Sequence, residues 1–177
     1  MKKKAELLER EPFGGTEVGA PSSHVERVSV EVGGKEMIFE TGMVARQASG
    51  SVILRCGDTM MLNTACLESK AAPNADFLPM RVDFMEKFSS IGKTVGTYHK
   101  REGKPSEREV LVSRLIDRPL RPMFQEGFFN EVQVLSTVFS YDGSAPTDAM
   151  AICGSAAACH ISSAPLLQAV AAVRLAH

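Results

Sequence analysis

Residues 96–124 read G-T-Y-H-K-R-E-G-K-P-S-E-R-E-V-L-V-S-R-L-I-D-R-P-L-R-P-M-F, a basic loop followed by a helical pattern. Ser106 and Glu109 have the three-residue spacing of a capping box, which marks the start of a helix. Apolar residues then recur at helical spacing, at Val110, Leu111, Leu115 and Ile116. The pattern predicts a helix over residues 106–118 that ends at Pro119.

Positive charge is concentrated in the same stretch. Residues 93–121 contain eight Lys and Arg against four Asp and Glu, whereas the whole chain has a formal net charge of −1. Arg114, Arg118 and Arg121 fall at i, i+4 and i+7, so they share one stripe if the helical path continues through them. A local cluster of cations in an otherwise mildly acidic chain favours a polyanion as partner.

The residues before the basic stretch alternate between apolar and polar side chains, as β-strands do. Gly33-Gly34 and Gly57-Asp58 are typical of tight turns between paired strands. Strands are predicted at residues 25–32, 36–40, 52–54, 60–67 and 80–88.

After the basic stretch, residues 131–141 alternate most regularly and predict a further strand. Residues 147–161 are rich in Ala, Gly and Ser, which favours a helix packed closely against a sheet. Residues 168–177 are compatible with the start of another strand. This order predicts an α+β fold, a mixed sheet with helices packed on one face.

Length and composition indicate one domain. Residues 1–24 mix charged residues with Gly, Pro and Ser, so we expect a flexible tail followed by the domain in residues 25–177. No apolar run reaches the length that spans a bilayer, and no membrane partner is expected. The four cysteines lack C-x-x-C spacing and lie in apolar runs, which favours buried free thiols over a zinc site.

The basic stretch resembles the signature of polynucleotide phosphorylase, in its first RNase PH-like core. The resemblance rests on E-G-K-P-S-E-R-E-V-L-V-S-R-L-I-D-R-P-L-R-P at residues 102–122. Three flanking matches follow the family's order: E-T-G-M-V-A-R-Q-A-S-G-S-V at 40–52, D-F-L-P-M-R-V-D-F at 76–84, and G-F-F-N-E-V-Q-V-L-S-T-V-F-S-Y-D-G at 127–143. The resemblance covers roughly residues 28–174 and implies an RNase PH-like core that is incomplete at its C-terminus.

The resemblance implies an enzyme that degrades RNA from the 3′ end with inorganic phosphate and releases nucleoside diphosphates. Members of the family are trimers around a central pore, so single-stranded RNA and two further copies of the chain are the expected partners. The loop that matches residues 97–101 lines the pore in the family, usually with two Phe followed by two basic residues. Here Tyr98 and His99 stand at the aromatic positions, and both can stack on bases.

We therefore expect eight RNA-binding residues, some on the loop and some on the helix that follows it. They are Tyr98, His99, Lys100, Arg101, Lys104, Arg114, Arg118 and Arg121. A structural alternative is that Arg114 and Arg118 pair with Asp117, Glu107 or Glu109 and hold the helix in place, and a structural role is open for Arg121 as well.

No catalytic or metal-binding residue is assigned to this chain. In the family the phosphate pocket and the magnesium-binding carboxylates belong to the second RNase PH-like core, with KH and OB-fold domains beyond it. We expect these parts to be absent here. The aspartates of this chain also fall on different predicted elements, so they suggest no shared metal site: Asp83, Asp117, Asp142 and Asp148. Magnesium and phosphate are thus implied only for the full-length enzyme, and this chain alone is predicted to be inactive.

Two alternatives remain open at the level of sequence. One is a non-catalytic RNA-binding ring subunit of an exosome-like assembly. The other concerns the compartment. R-Q-A-S-G-S-V and S-Y-D-G look similar to plastid and mitochondrial members, which favours an organelle, and the bacterial cytoplasm is the alternative.

Overall fold

The computed structural model describes residues 25–71, 76–96 and 102–175. The flexible tail expected at residues 1–24 lies outside this range. The strands are β1 Glu26–Val32, β2 Lys35–Thr41, β3 Gly50–Cys56, β4 Thr59–Ala71, β5 Met80–Glu86 and β6 Asn130–Ser140, and the α-helices of the described residues are α1 Glu107–Leu120 and α2 Thr147–Ile161.

The strands form one mixed sheet in the order β1-β2-β3-β4-β6-β5. All neighbouring pairs are antiparallel except β5 and β6, which are parallel and are joined through α1. Gly33, Gly34 and Gly57 have φ angles of 59°, 76° and 61°, as the two predicted turns require. The predicted α+β fold is confirmed, and so is the long strand at residues 131–141.

Both helices pack on the same face of the sheet. In β4 the residues Thr59, Met61, Asn63 and Ala65 are buried, and the residues between them are more exposed. Three of these residues, Met61, Asn63 and Ala65, pair with buried residues of β6, so the two strands present one continuous face to the helices. The core beneath the helices contains Leu54, Met61, Phe84, Ile116, Leu120 and Met150.

Small residues allow α2 to lie very close to the sheet. A Cβ added at Gly50 on β3 would lie 2.1 Å from the carbonyl oxygen of Ala158 on α2. A Cβ added at Gly154 on α2 would lie 2.1 Å from the side-chain nitrogen, Nδ2, of Asn63 on β4. The close packing that the Ala, Gly and Ser content predicted is therefore confirmed.

The start of α1 follows the prediction, and the structure shows which of its faces is buried. Ser106 and Glu109 form the capping box. Val112, Ile116 and Leu120 are the buried apolar residues. Of the apolar residues whose spacing indicated this helix, Val110, Leu111 and Leu115 are 44%, 67% and 46% exposed, and Ile116 is buried. Helical spacing alone does not say which of two neighbouring stripes meets the sheet.

Pro119 does not end α1, which was a wrong prediction. The helix continues to Leu120, and residues Arg121–Met123 follow as a 3₁₀ turn. The φ angle of proline suits a helix, and its missing N–H removes only the bond to the carbonyl of Leu115. Leu120 is fully buried, so packing in the core holds the last turn.

Three other expectations also differ from the structure. Strand β5 ends at Glu86 rather than at 88, and a 3₁₀ helix, Phe88–Ile91, follows it. Residues 168–175 form no strand; this segment lies against α2, where the N–H of Ala172 donates to Cys153 Sγ at 3.3 Å. Cys66 is exposed rather than buried. No helix in the described part of the chain is long and apolar enough to cross a membrane.

Candidate RNA-binding surface

Strand β5 lies at an edge of the sheet, and α1 runs along that edge. The Glu109 carboxylate accepts a hydrogen bond from the backbone N–H of Glu86 at 2.8 Å. The Ser113 hydroxyl accepts one from the N–H of Phe84 at 2.9 Å. Unpaired backbone groups on an edge strand attract other strands unless something covers them. Side chains of α1 thus replace the missing strand partner of β5.

An ion pair near the C-terminal end of α1 continues this contact. Asp117 and Arg121 are joined at 2.7 Å between Oδ1 and Nη2. Arg121 also donates to the carbonyl oxygens of Leu78 at 2.9 Å and Met80 at 3.0 Å. Residues four apart share one face of a helix. This contact face of α1 consists of Glu109, Ser113 and Asp117, together with Arg121 directly after the helix.

Arg121 has little freedom for any further partner. A guanidinium carries five N–H donors. Four hydrogen bonds already run from Arg121 to the Asp117 carboxylate and to the carbonyls of Leu78 and Met80. The RNA contact predicted for Arg121 stays a prediction, and one N–H is left to make it.

Lys104, Arg114 and Arg118 differ from Arg121 in their exposure and in their ion pairs. All three are exposed, and none forms an ion pair with a carboxylate of the described residues. The ion pairs considered from sequence for Arg114 and Arg118 are not formed among the described residues, and Asp117 is engaged by Arg121 instead. The i, i+4, i+7 stripe consequently divides into one anchored arginine and two exposed ones.

Tyr98, His99, Lys100 and Arg101 lie outside the described residues. The chain on either side of them, at Gly96 and Glu102, is within the described ranges.

A cleft with a volume of about 1370 Å³ runs along β5 and α1. Lys104 and Arg114 line it, together with Arg108, which was not selected from the sequence. The Arg108 guanidinium lies 3.3 Å from the Glu86 carboxylate and 3.4 Å from the Thr147 hydroxyl. Only folding brings Arg108, Glu86 and Thr147 together, so no local signal distinguished Arg108 from the other basic residues of the stretch. The α1 side of the cleft carries Arg108 and Arg114 together with the carboxylates of Glu109 and Asp117.

The pKa of Glu109 reflects its position between α1 and β5. Partial burial raises the pKa of this carboxyl, but hydrogen bonds from the N–H groups of Glu86 and Ser106, from the Ser106 side chain, and the charge of Lys87 lower it by more. The net shift is below the ordinary value. Glu109 is thus held as a carboxylate, the form that accepts both backbone hydrogen bonds.

The described residues do not fit a magnesium site. No three His, Cys, Asp or Glu side chains of that part of the chain group together to hold a metal ion. The four aspartates considered from sequence each have another partner: Asp83 binds Arg81, Asp117 binds Arg121, Asp142 binds Thr59 and Ser144, and Asp148 binds Arg174.

Comparison with known proteins places this geometry in a family. The family model described as 3′ exoribonuclease family, domain 1, matches residues 33–165. A polyribonucleotide nucleotidyltransferase of Protochlamydia amoebophila is 59% identical over 150 residues, which are 85% of this chain and 22% of that protein. The protein of the same name from Chlamydia pneumoniae is 54% identical over 145 residues, which are 80% of this chain and 20% of that protein.

A solved structure shares the fold at lower identity. The crystal structure of rice (Oryza sativa) Rrp46 superimposes with a TM-score of 0.57 at 17% identity, covering 75% of this chain and 58% of that one. The chain spans about a fifth of the length of the curated relatives it matches.

Proposed function

Because this chain belongs to the 3′ exoribonuclease family, whose domain 1 model matches residues 33–165, we propose that it is the RNA-holding first core of a phosphorolytic 3′-to-5′ exoribonuclease. The two relatives named polyribonucleotide nucleotidyltransferase support this reaction type. In phosphorolysis an oxygen of inorganic phosphate bonds to the phosphorus of the terminal linkage. The bond from that phosphorus to the 3′ oxygen of the preceding nucleotide breaks, and a nucleoside diphosphate leaves.

One observation carries the RNA-holding role. The contact face of α1 is occupied by the edge of β5, whereas Arg114 and Arg118 on the same helix are exposed and without carboxylate partners in the described ranges. Unpaired cations can neutralise phosphates and release counterions, which drives binding of nucleic acid. Lys104 adds a third such cation at the N-terminal side of α1.

The loop at residues 97–101 supplies the second half of the proposal. Tyr98 and His99 stack on bases, each stacked base contributing about 1–3 kcal/mol, while Lys100 and Arg101 meet the backbone phosphates. Neither interaction reads a base sequence, which suits an enzyme that shortens RNA of any sequence. Arg121 mainly positions α1 and adds one donor at most.

Phosphate binding and magnesium are assigned to a second core, as the family resemblance implies. Attack of one anion on another requires positioned cations or a metal at the developing charge. The described residues offer no fitting carboxylate group. We therefore propose that this chain contributes RNA binding and that it releases no diphosphates by itself.

The assembly and the compartment are further proposals. Three copies around a pore would bring three sets of exposed cations toward one RNA strand, and analytical ultracentrifugation tests this trimer directly. Placement in a plastid or mitochondrion rests on the resemblance of two short motifs. The two relatives described above are bacterial, which is compatible with the alternative of a bacterial cytoplasm.

Binding of single-stranded RNA by the 177-residue chain, measured at several salt concentrations, tests the proposal. The logarithm of the affinity should fall with the logarithm of salt by about 0.7 for each phosphate neutralised. Lys100→Ala with Arg101→Ala should flatten that slope, whereas Tyr98→Ala should weaken binding with little change in slope. A matched control removes two exposed cations elsewhere, Arg46→Ala with Lys70→Ala.

Two results would contradict the proposal. Equal slopes for the parent chain and the Lys100, Arg101 variant would exclude the loop as the electrostatic contact. Incubation with RNA, phosphate and magnesium should release no nucleoside diphosphates. Release that is abolished by substitutions in this chain would show that the chain itself carries the chemistry.

A further inference from the structure

Strand β1 lies at the edge of the sheet opposite to β5. It is joined to β2 by a two-residue turn, so Val32 and Lys35 form a hydrogen-bonded pair across that turn. Hydrogen-bonded and non-hydrogen-bonded pairs alternate along an antiparallel ladder. The backbone N–H and C=O groups of Arg27, Ser29 and Glu31 therefore point away from β2. No hydrogen bond among the described residues reaches these outward groups.

A strip of valines on β1 is exposed as well. Val28 and Val30 pair with Phe39 and Met37, which pack against the core beneath the helices. α2 packs mainly on β3, β4 and β6, so Val30 and Val32 stay 47% and 39% exposed. An edge strand of seven residues with exposed valines and no proline is the kind that pairs with another strand.

The charges on the other face of β1 are unbalanced in opposite senses at its two ends. At one end, the Glu40 carboxylate lies between two guanidiniums, 3.4 Å from Arg27 and 3.3 Å from Arg55. Nε of Arg27 is buried and has no hydrogen-bond partner among the described residues. At the other end, Glu31 lies directly opposite Glu36, and neither has an ion-pair partner in the described ranges. Like charges placed in this way repel each other.

We propose that β1 is a self-association edge, which pairs antiparallel with β1 of a second copy about a two-fold axis at Ser29. In this register Arg27 lies opposite Glu31 of the partner subunit, and Glu31 lies opposite Arg27 of the partner subunit. These two pairs and the central pair each exchange two backbone hydrogen bonds, which satisfies the outward groups of β1. On the helix side, Val28 meets Val30 of the partner subunit, so the valine strip is covered.

This register is the one that matches charge and length together. It pairs every residue of Glu26–Val32, and it places the carboxylate that one end lacks beside the guanidinium that the other end lacks. An axis at residue 27 or 31 would bring two arginines or two glutamates face to face. An axis at residue 28 or 30 would leave Arg27 opposite Ser29 or Gly33. The contact is two-fold, so it goes beyond the proposed function and does not depend on it.

A backbone variant tests the edge directly. Ser29→Pro removes the central outward N–H but leaves the ladder to β2 intact, as proline on an edge strand allows. Sedimentation equilibrium of the full chain without RNA, over a wide concentration range, should show an even number of copies. Ser29→Pro should halve the mass of the largest species, whether that species is a dimer or six copies that also form the proposed trimer. Ser29→Ala keeps the N–H and should leave the mass unchanged.

A charge variant separates association from folding. Glu31→Lys removes the repulsion from Glu36 within the chain, so stability of the single copy should not fall. The same change places a cation opposite Arg27 in both symmetry-related pairs, and self-association should weaken about ten- to hundredfold. Glu36→Lys is the matched control, because it relieves the same repulsion on a strand away from the edge. Its association should stay within about twofold of the parent.

Hydrogen exchange distinguishes a second copy from coverage of the edge by the same chain. The N–H groups of Arg27, Ser29 and Glu31 should exchange more slowly as the protein concentration rises. Those of Val28 and Val30 are bonded within the ladder and should exchange slowly at every concentration. Thermal unfolding checks that each variant is folded, and Glu31→Lys decides alone if Ser29→Pro is not.

Several results would overturn the inference. They are a parent chain that is a monomer or a trimer at every concentration, an unchanged mass for Ser29→Pro, or an equal loss with Ser29→Ala. Unchanged association of Glu31→Lys, or exchange at the outward N–H groups that does not depend on concentration, would also contradict it. RNA binding enters none of these measurements, so their failure leaves the proposed function standing, and failure of the RNA experiments leaves this inference standing.

Discussion

The two helices cover the same face of the sheet by different means. α2 lies over the centre of the sheet, where Gly50, Gly154 and their neighbours leave room for close backbone approach. α1 lies along the edge strand β5 and meets backbone N–H and C=O groups with Glu109, Ser113 and Arg121. The centre of a sheet has its hydrogen bonds made already, so a covering helix there needs a suitable shape. The edge has bonds still to make, so a covering helix there needs polar atoms.

This difference explains why a charged motif need not be a binding site. Some of the polar residues in α1 complete the sheet, and others remain exposed. The distinction is made by the position of β5 relative to the helix, since all of these residues are hydrophilic. Four variants can break or sharpen the comparison, and they differ in the size of the expected effect.

Gly50→Ala should have the largest effect on stability. Its Cβ would lie 2.1 Å from the carbonyl oxygen of Ala158, a backbone atom that can move only if α2 moves. Overpacking of this kind destabilises a core by about 1–3 kcal/mol, and we expect the upper end. Urea unfolding measures it. Gly103→Ala is the control, because a Cβ there has nothing within 4 Å. Equal stability of the two variants would show that α2 can shift freely.

Arg121→Ala should have the next largest effect. It leaves the carbonyls of Leu78 and Met80 without their donor and the Asp117 carboxylate without its partner. We expect a loss of about 1–2 kcal/mol in the free energy of unfolding, reduced from the buried case because the pair is partly exposed. Arg118→Ala, in the last turn of α1, is the matched control. Similar losses for both arginines would contradict the assignment of Arg121 to the edge of β5.

Glu109→Gln should make the α1 contact less dependent on pH. The folded pKa of Glu109 lies below its ordinary value of 4.5. Its carboxylate therefore stabilises the fold fully above about pH 4.5, and this contribution is lost as the pH falls through the lower folded pKa. The difference in unfolding free energy between parent and variant should shrink from pH 7 to pH 3. The effect of Gly50→Ala should stay constant, since no titrating group takes part in it. A difference for Glu109→Gln that grows at low pH would be incompatible with a lowered pKa.

Arg114→Ala with Arg118→Ala should have the smallest effect on stability. Both side chains are exposed and have no ion-pair partner within the described ranges, so the change in unfolding free energy should stay within about 0.5 kcal/mol. The same double variant should reduce the salt slope of RNA binding by about 0.7 for each phosphate that is no longer neutralised. A large loss of stability with an unchanged slope would assign both arginines to the fold instead.

The sequence by itself determined the elements whose signals are local. Alternation located β6, the capping box at Ser106 and Glu109 located the start of α1, and small residues identified α2 as a closely packed helix. These signals depend on backbone geometry or on a period within one segment. They can therefore be recognised without knowledge of what packs against the segment.

Only the tertiary structure decided which residues of α1 are structural. The buried stripe of Val112, Ile116 and Leu120 and the contact to β5 depend on how the helix is rotated against the sheet. Leu120 packs in the core and carries the helix past Pro119, although the local rule predicted an end there. Arg121 and Arg118 look equivalent in sequence, but one donates to two backbone carbonyls distant in the chain and the other is exposed. The burial of Leu120 and the hydrogen bonds of Arg121 depend on partners far apart in the chain. A periodic pattern within one segment contains no information about those partners.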